Sequence, residues 1–116
     1  MFILLKHKTL DDLIIRELIK ETYKVSLLLP AEEKFNMVQQ IRRAALSVKL
    51  NLAEGSTRKS EIERKRFLEI SRGSVVEVDA ALETAVDLNY FTREQLENLG
   101  ALLNRSFSML SKMIDR

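Results

Sequence analysis

The scarcity of chain-breaking residues constrains this sequence more than any other feature. Glycine occurs three times and proline once in 116 residues. Between these breaks, apolar residues recur at three- and four-residue spacing, which is the period of a helix face. No segment alternates apolar and polar residues with the period of a strand. The sequence therefore predicts an all-α chain of long helices joined by short connections.

The first half of the chain predicts two helices separated by Pro30. The first begins near a capping residue, Thr9, and the second runs from Pro30 to Gly55, where a left-handed glycine is expected to cap it. The residues predicted to face the core are Ile15, Leu18, Thr22, Val25 and Leu29 in the first helix, and Val38, Ile41, Ala45, Val48 and Leu52 in the second.

The second half predicts two more helices, each opened by a capping box. Ser60 begins the third helix, which extends to about Asn89, and Thr92 begins the fourth. The inward positions are Phe67, Ser71, Ser74, Val78, Leu82 and Ala85, then Leu96, Leu99, Leu103, Leu110 and Met113, with Phe107 beside them. Four helices with short connections indicate an antiparallel up-down-up-down four-helix bundle, formed by residues 1–116 as a single domain.

Composition excludes several classes of function. The chain has no cysteine, so disulfides, cysteine–zinc sites and thiol nucleophiles are absent. The one histidine, His7, has no partner ligand in the sequence, and no phosphate loop or nucleophile motif occurs. We therefore expect no metal, no cofactor and no enzymatic activity. The apolar start, residues 2–5, is too short for a signal peptide, and no span could cross a membrane, so a cytoplasmic location is expected.

The third helix is polarised in charge along its length. Residues 56–73 contain six basic and three acidic residues, whereas residues 74–91 contain four acidic residues and no lysine or arginine. The second half is also apolar nearly all round, which favours burial on more than one side. One interpretation is contact with a second copy of the chain, centred on Gly73, Ser74, Val76, Glu77 and Ala80. The other is that small valine and alanine side chains are tolerated in water.

Gly73 is unusual because it lies inside a helix, where glycine is less favourable than alanine by about 1 kcal/mol. We expect the close approach of a neighbouring backbone to compensate, with a local kink as the alternative. Opposite charges in the two halves of the helix would suit a head-to-tail contact that closes into a ring.

The second helix carries a polar flank at its C-terminal end. Ser47, Asn51 and Glu54 recur at helical spacing, with Gln40 and Arg43 before them. A buried carboxylate needs partners, and Glu54 could pair with Arg58 across the corner or with Arg43 through Ser47 and Asn51. We interpret this flank as a network that fixes the corner rather than as an acid–base site.

Basic residues gather around the same corner. The predicted nucleic-acid contacts are Arg42, Arg43, Arg58, Lys59, Arg64, Lys65, Arg66 and Arg72. Three interleaved glutamates support the alternative of a salt-bridged, solvated helix start. No aromatic stacking platform accompanies the cations, so any binding would depend on phosphate charge and shape rather than on base identity. Repetition of the patch around an oligomer would add avidity.

Two sequence blocks resemble a known family. The blocks "QIRRAALSVKLNLAEGSTR" (residues 40–58) and "FLEISRGSVVEVDAAL" (residues 67–82) are similar to proteins encoded within intervening sequences of 23S ribosomal RNA genes, and to accessory proteins of diversity-generating retroelements. The resemblance implies a four-helix bundle assembled as a homopentameric ring. It also implies binding of RNA or DNA through a basic surface and, in the retroelement relatives, binding of a reverse transcriptase.

The sequence thus supports two hypotheses of function. The first is a non-enzymatic, oligomeric bundle that binds structured RNA or DNA. The second is a protein-interaction scaffold, or an accessory subunit of a nucleic-acid enzyme such as a reverse transcriptase.

Overall fold

Four α-helices make up almost all of the structure. The computed structural model describes residues 10–116. The helices are α1 (Leu10–Ser26), α2 (Met37–Ser56), α3 (Glu61–Asp87) and α4 (Glu97–Asp115). The all-α prediction is confirmed, with four helices packed around one core.

Contacts between α1, α2 and α3 fix their relative directions. The Lys49 ammonium is 3.3 Å from Asp12 near the start of α1, whereas Arg42 donates to Ser26 Oγ at the end of α1 over 2.8 Å. Residues early in α1 therefore meet residues late in α2, so these helices are antiparallel. Hydrogen bonds from α3 back to α2 show the same relation between the second and third helices.

The fourth helix closes the arrangement against both α3 and α1. Arg64 in the first turn of α3 donates to the Met113 carbonyl oxygen in the last turn of α4 over 3.4 Å. Arg72, two turns later in α3, donates to Ser111 Oγ over 3.1 Å. Adjacent helices are thus antiparallel throughout, within an envelope of 44 × 29 × 22 Å.

The core confirms the stripe predicted for the first helix best: all five expected residues are buried, although the last of them, Leu29, lies in the turn after α1. In α3, the expectation for Phe67 is wrong: its side chain is half-buried, and the neighbouring Leu68 fills the core at 1% exposure. The buried position is thus one residue later than predicted, which corresponds to a rotation of about 100° around the helix axis. In α4, Phe107 lies at the surface, and Ser106 occupies the buried position instead.

The connection between α1 and α2 is longer than the sequence predicts. Ser26 ends α1, and the next three backbone N–H groups each donate to the carbonyl three residues earlier, which tightens the chain before Pro30. Pro30 then opens a short 3-10 turn, Ala31–Glu33, rather than α2 itself. The expectation that Pro30 lies in the first turn of the second α-helix is therefore wrong, because α2 begins only at Met37.

The predicted cap at Ser60 opens α3 with one of the two hydrogen bonds of a capping box, and the box at Thr92 forms but lies before a 3-10 turn rather than at the start of α4. Ser60 Oγ accepts the Glu63 N–H over 3.3 Å and caps α3. At Thr92 the exchange is reciprocal: the Gln95 N–H donates to Thr92 Oγ1 over 3.3 Å, and the Thr92 N–H donates to Gln95 Oε1 over 2.8 Å. This second box opens a 3-10 turn, Glu94–Leu96, that continues into α4.

The left-handed cap belongs to Asn89 rather than to Gly55. Asn89 has φ 66°, and none of the three glycines has a positive φ, so the expectation that Gly55 is a left-handed cap is wrong. After α3, the Tyr90 N–H donates to the Ala85 carbonyl and the Asn89 N–H to the Val86 carbonyl, each over 2.9 Å. This pair of bonds is the Schellman pattern, in which asparagine can replace glycine.

Gly55 has a different role, at the closest approach of α2 and α3. It is buried inside α2. A Cβ at this position would lie 3.1 Å from Phe67 Cβ and 3.3 Å from the Arg64 carbonyl oxygen. The absence of a side chain therefore lets α3 cross α2 closely at the corner, which is the kind of close packing that glycine permits.

The bundle does not show the close approach of a neighbouring backbone that we expected at Gly73 and Ser74. Among residues 10–116, nothing beyond the local backbone of α3 lies within 4 Å of a Cβ added to Gly73, so no neighbouring helix of the described bundle compensates for this glycine. Ser74 is buried, and its Oγ donates to Ser47 Oγ over 2.9 Å. Ser74 therefore cannot belong to a subunit interface on the outside of the bundle, and its inclusion there is corrected.

A hydrogen bond joins the two connections at one end of the bundle. Tyr90, just after α3, donates through its hydroxyl group to Glu33 Oε2 over 2.8 Å, and Glu33 lies in the turn before α2. This bond is the main reason that the pKa of Glu33 is lowered from its ordinary value of 4.5, with a further contribution from Asn36. The same bond raises the pKa of Tyr90, because the phenol must keep its proton to donate.

We expect this hydrogen bond to make the free energy of unfolding depend on pH in the acid range. A carboxylate whose pKa is lower in the folded than in the unfolded chain stabilises the fold above the unfolded value and loses that contribution as pH falls through the folded value. Tyr90→Phe should therefore lose less stability than wild type between roughly pH 5 and pH 3. Urea unfolding across this range checks the prediction, with Tyr23→Phe as the control. Identical acid profiles for wild type and Tyr90→Phe would contradict it.

Three expectations fall outside the described residues: the Thr9 cap, the exposure of His7 and the apolar start at residues 2–5. Within residues 10–116, no helix combines the length and the apolar character needed to cross a bilayer. Over the same range, no cluster of three or more histidine, cysteine, aspartate or glutamate side chains is placed to hold a metal ion.

Candidate nucleic-acid interface

The α2–α3 corner brings five of the eight predicted basic residues to one end of the bundle. Arg58 and Lys59 lie in the connection after α2, and Arg64, Lys65 and Arg66 lie in the first two turns of α3. We call this end, together with the last turn of α4, the basic end. The contact between Arg64 and the Met113 carbonyl places the last turn of α4 beside the corner.

Two of these cations are held by the structure. Arg58 pairs with Glu54 at 2.7 Å, and its guanidinium group lies 4.9 Å from the centre of the Phe67 ring. Arg64 pairs with Glu61 at 2.8 Å, which holds the pKa of Glu61 below its ordinary value of 4.5. Such contacts fix the direction of each guanidinium group and leave its charge in place.

The other three cations of the corner are uncommitted in the sense that they form no ion pair, although Lys65 is close enough to Glu61 to help lower the pKa of that carboxyl group. Within the described part of the chain, Lys59, Lys65 and Arg66 form no ion pair. Lys59 and Arg66 are exposed, and Lys65 is half-buried along its stem. Flexible, unpaired cations around two fixed guanidinium groups suit contact with phosphate groups spaced along a backbone.

Arg42 and Arg43 lie away from the basic end. Arg42 is 13 positions before Gly55 in α2, so at about 1.5 Å per residue it is about 20 Å from the corner. Its guanidinium group lies 4.8 Å from the centre of the Tyr23 ring and donates to Ser26, so its role is to join α2 to α1. Arg43 is exposed on the outer face of α2, also far from the corner.

Arg72 occupies an intermediate position between α3 and α4. It is half-buried, lies 5.5 Å from the centre of the Phe107 ring and donates to Ser111 Oγ. These contacts hold its aliphatic stem against α4, as is common for arginine side chains on apolar surface. Its charge is therefore about two turns from the corner, at the edge of the basic end.

The polar flank of α2 forms part of the predicted network, without Glu54, whose carboxylate is exposed rather than buried. Asn51 donates to Ser47 Oγ over 3.0 Å, and Ser47 Oγ also accepts the hydroxyl group of Ser74 from α3. Glu54 takes the first of its two expected partners, Arg58, and Arg43 is not involved. The network therefore stabilises the packing of α2 on α3 immediately behind the basic end, and it supplies no acid–base pair.

Sequence analysis missed the cations that α4 presents beside α1. A surface groove of about 400 Å³ lies between these helices, and its basic lining residues are Arg105, Lys112 and Arg116, with one carboxylate at Asp11. Lys112 and Arg116 flank Met113, whose carbonyl oxygen meets Arg64 from the corner. The sequence signal that could have revealed these three cations is their spacing of seven and four residues, which places them on one outer face of α4.

Comparison of the sequence with models of known protein families gives a match for this all-α, four-helix chain. Residues 14–112 match the family described as 23S rRNA-intervening sequence protein. The chain belongs to this family.

The fold also matches a solved structure. A crystal structure from Bacteroides thetaiotaomicron VPI-5482, described as a protein of unknown function from the S23 ribosomal protein family, is 23% identical. The match has a TM-score of 0.82 and covers 93% of this chain and 100% of the other. At this level of identity the match supports the fold alone. A search of curated proteins finds no match.

Proposed function

We propose that this protein is a non-enzymatic, oligomeric four-helix protein that binds the phosphate backbone of structured RNA or DNA through its basic end. The observation that carries the proposal is the convergence of seven cations from three segments: Arg58, Lys59, Arg64, Lys65, Arg66, Lys112 and Arg116. Among the described residues, acidic residues of the same end are partly neutralised by ion pairs, and five of the seven cations (Lys59, Lys65, Arg66, Lys112 and Arg116) form no such pair.

Backbone binding of this kind follows charge and shape. The described aromatic residues nearest the corner each contact an arginine, since Phe67 lies under Arg58 and Phe107 under Arg72. Phe67 is half-buried, and the exposed Phe107 lies beside Arg72, away from the corner, so we expect no base to stack at the corner itself. We expect little preference for base sequence and a steep dependence of affinity on salt.

Assembly would multiply this weak contact. The outer face of α3 exposes Gly73, Val76, Glu77 and Ala80 in one strip, with Val76 51% exposed. A neighbouring copy on this face would cover apolar surface and repeat the basic end around a homopentameric ring, as the resemblance implies. Several copies of one patch on a long polyanion act by avidity, because each later contact is intramolecular. The molar mass in solution tests this part of the proposal.

Reversing the three uncommitted cations should abolish tight binding. Because each neutralised phosphate contributes about 0.9 to the logarithmic salt slope on duplex DNA, the variant Lys59→Glu/Lys65→Glu/Arg66→Glu should reduce the slope by about 2.7. We expect an affinity at least about a hundredfold lower at low salt. Fluorescence anisotropy with a labelled RNA hairpin and a DNA duplex of matched length measures both quantities, and circular dichroism checks the fold.

The matched control reverses the same amount of charge elsewhere. Lys20, Lys24 and Lys34 are exposed and lie outside the basic end. The variant Lys20→Glu/Lys24→Glu/Lys34→Glu therefore has the same net charge as the first variant. It should bind RNA within about threefold of wild type at moderate salt, where distant exposed charges are screened. Equal losses in both variants would show that net charge alone attracts the polyanion and would contradict a site at the basic end.

A second candidate function is an accessory subunit that binds a protein, such as a nucleic-acid enzyme of the reverse transcriptase class. The observation in its favour is at the end opposite the basic end, where large apolar side chains are exposed in the connections: Leu27, Leu28, Phe35 and Leu88. Exposed apolar groups gathered at one end are typical of protein contacts. Affinity purification would then recover a protein partner that survives nuclease treatment.

A further inference from the structure

A small pocket lies between α3 and α4, away from the basic end. Its volume is about 190 Å³, and its floor is apolar, made by Leu82, Val86, Leu96 and Leu103. Pockets for small-molecule ligands are usually about 300–1,000 Å³. This pocket is therefore of a size to receive one aliphatic side chain rather than a whole ligand.

The rim of the pocket is acidic. Asp79 and Glu83 line it from α3, one turn apart, and Arg93 is the single cation on the rim. Both carboxylates are exposed, and within the described residues neither forms an ion pair. The pocket therefore favours an apolar side chain that has positive charge beside it.

The same chain displays such a side chain at its other end. Ile62, in the first turn of α3, is 82% exposed, more than any other large apolar residue described. Arg66 is one turn further along the same face of α3, and Lys59 lies just before the helix. The positive end of the α3 dipole adds to this charge, although Glu61 and Glu63 are neighbours.

Ile62 cannot reach the pocket of its own chain. Asp79 is 17 residues further along the same straight helix, which at about 1.5 Å per residue is about 26 Å away. An exposed apolar side chain and a complementary pocket at separate places on one molecule define a head-to-tail contact between copies. Such a contact is satisfied only when a second copy is present.

We propose that Ile62 of one copy inserts into the α3–α4 pocket of a second copy, where the acidic rim at Asp79 and Glu83 attracts the basic end, while the exposed Lys59 and Arg66 beside the contact remain open to phosphate. This inference rests on the assembly in the proposed function and names the residues that make it. It explains why the isoleucine at the basic end is exposed to solvent in the single chain. It also explains the opposite charges of the two halves of α3, because each half meets its complement only on another copy.

Gly100 offers a direct test of the pocket. It lies on the pocket wall in α4, and among the described residues nothing beyond the local helix backbone is within 4 Å of an added Cβ, so a methyl group can be introduced there without a clash. Gly100→Leu should fill the pocket, whereas Gly100→Ala leaves most of it open. Ile62→Ala removes the inserted side chain, and Leu50→Ala, at a 55% exposed position of α2, is its control.

The experiment measures molar mass by light scattering over a range of concentrations. Wild type should form multiples of 13.4 kDa. Ile62→Ala and Gly100→Leu should each associate about ten to a hundred times more weakly, the expected effect of removing one buried aliphatic side chain. Gly100→Ala and Leu50→Ala should assemble like wild type.

Mixing the two disruptive variants makes the test specific. The Gly100→Leu chain retains Ile62 and the Ile62→Ala chain retains an open pocket, so an equimolar mixture should form a species of two chains held by one contact. Two variants that assemble like wild type would overturn the inference and leave the oligomer of the proposed function intact. A wild type that stays at 13.4 kDa would overturn both the inference and the assembly, and RNA anisotropy on the same monomer would decide the binding separately.

Discussion

Replacing Leu68 by alanine is expected to destabilise the protein more than replacing its larger neighbour, Phe67. Leu68 is 1% exposed in the core, and removing a fully buried leucine side chain lowers the free energy of unfolding by about 2–5 kcal/mol. Phe67 is half-buried, and its ring supports the Arg58 guanidinium group. Phe67→Ala should therefore lower the free energy of unfolding by only about 1.5–2.5 kcal/mol, half the usual loss for a fully buried ring.

Urea denaturation of both variants measures these energies, with the dependence on denaturant concentration checked for a constant slope. The comparison is informative because helical periodicity alone favours the opposite order, in which Phe67 faces the core. A larger loss in Phe67→Ala than in Leu68→Ala would mean that α3 is rotated by about one residue from the orientation described here.

Adding one methyl group at Gly55 is expected to destabilise the protein, whereas the same change at Gly100 should stabilise it. At Gly55 the new Cβ would lie 3.1 Å from Phe67 Cβ and 3.3 Å from a backbone oxygen of α3, so the two helices must separate. Overpacking of this kind lowers the free energy of unfolding by about 1–3 kcal/mol. At Gly100 the methyl group meets nothing within 4 Å, so the higher helix propensity of alanine should add up to about 1 kcal/mol.

Thermal unfolding resolves the difference, since 1 kcal/mol shifts the midpoint of a domain of this size by about 4–8 °C. If Gly55→Ala were as stable as Gly100→Ala, the close contact between α2 and α3 at the corner would be contradicted.

The fold could be predicted from the sequence wherever interactions between residues close in sequence determine the structure. The buried stripe of α1 and the caps at Ser60 and Thr92 follow from helical periodicity and from side-chain oxygens that accept backbone N–H groups. The role of Gly55 could not be predicted, because a glycine near a helix end can serve as a left-handed cap or permit close packing. The approach of another helix decides between these roles, and Asn89 provides the left-handed residue instead.

The candidate interface could be predicted only where its residues are neighbours in sequence. Arg58 to Arg66 form a visible cluster, and the structure keeps them at one end. Lys112 and Arg116 join them because α4 returns to the corner, a contact between residues 49 positions apart at Arg64 and Met113. Arg42 is near the cluster in sequence but far from it in space, because 13 residues of α2 separate it from Gly55 at the corner.

The dominance of the α2–α3 contact has a consequence for how the chain folds. These helices share the most extensive contact of any pair, and only residues 57–60 connect them. Closing so short a loop loses little entropy, so the central hairpin is the natural nucleus, on which the outer helices condense afterwards. Refolding rates should then respond to Leu68 and Gly55, whereas changes where α1 meets α4 should act mainly on the rate of unfolding.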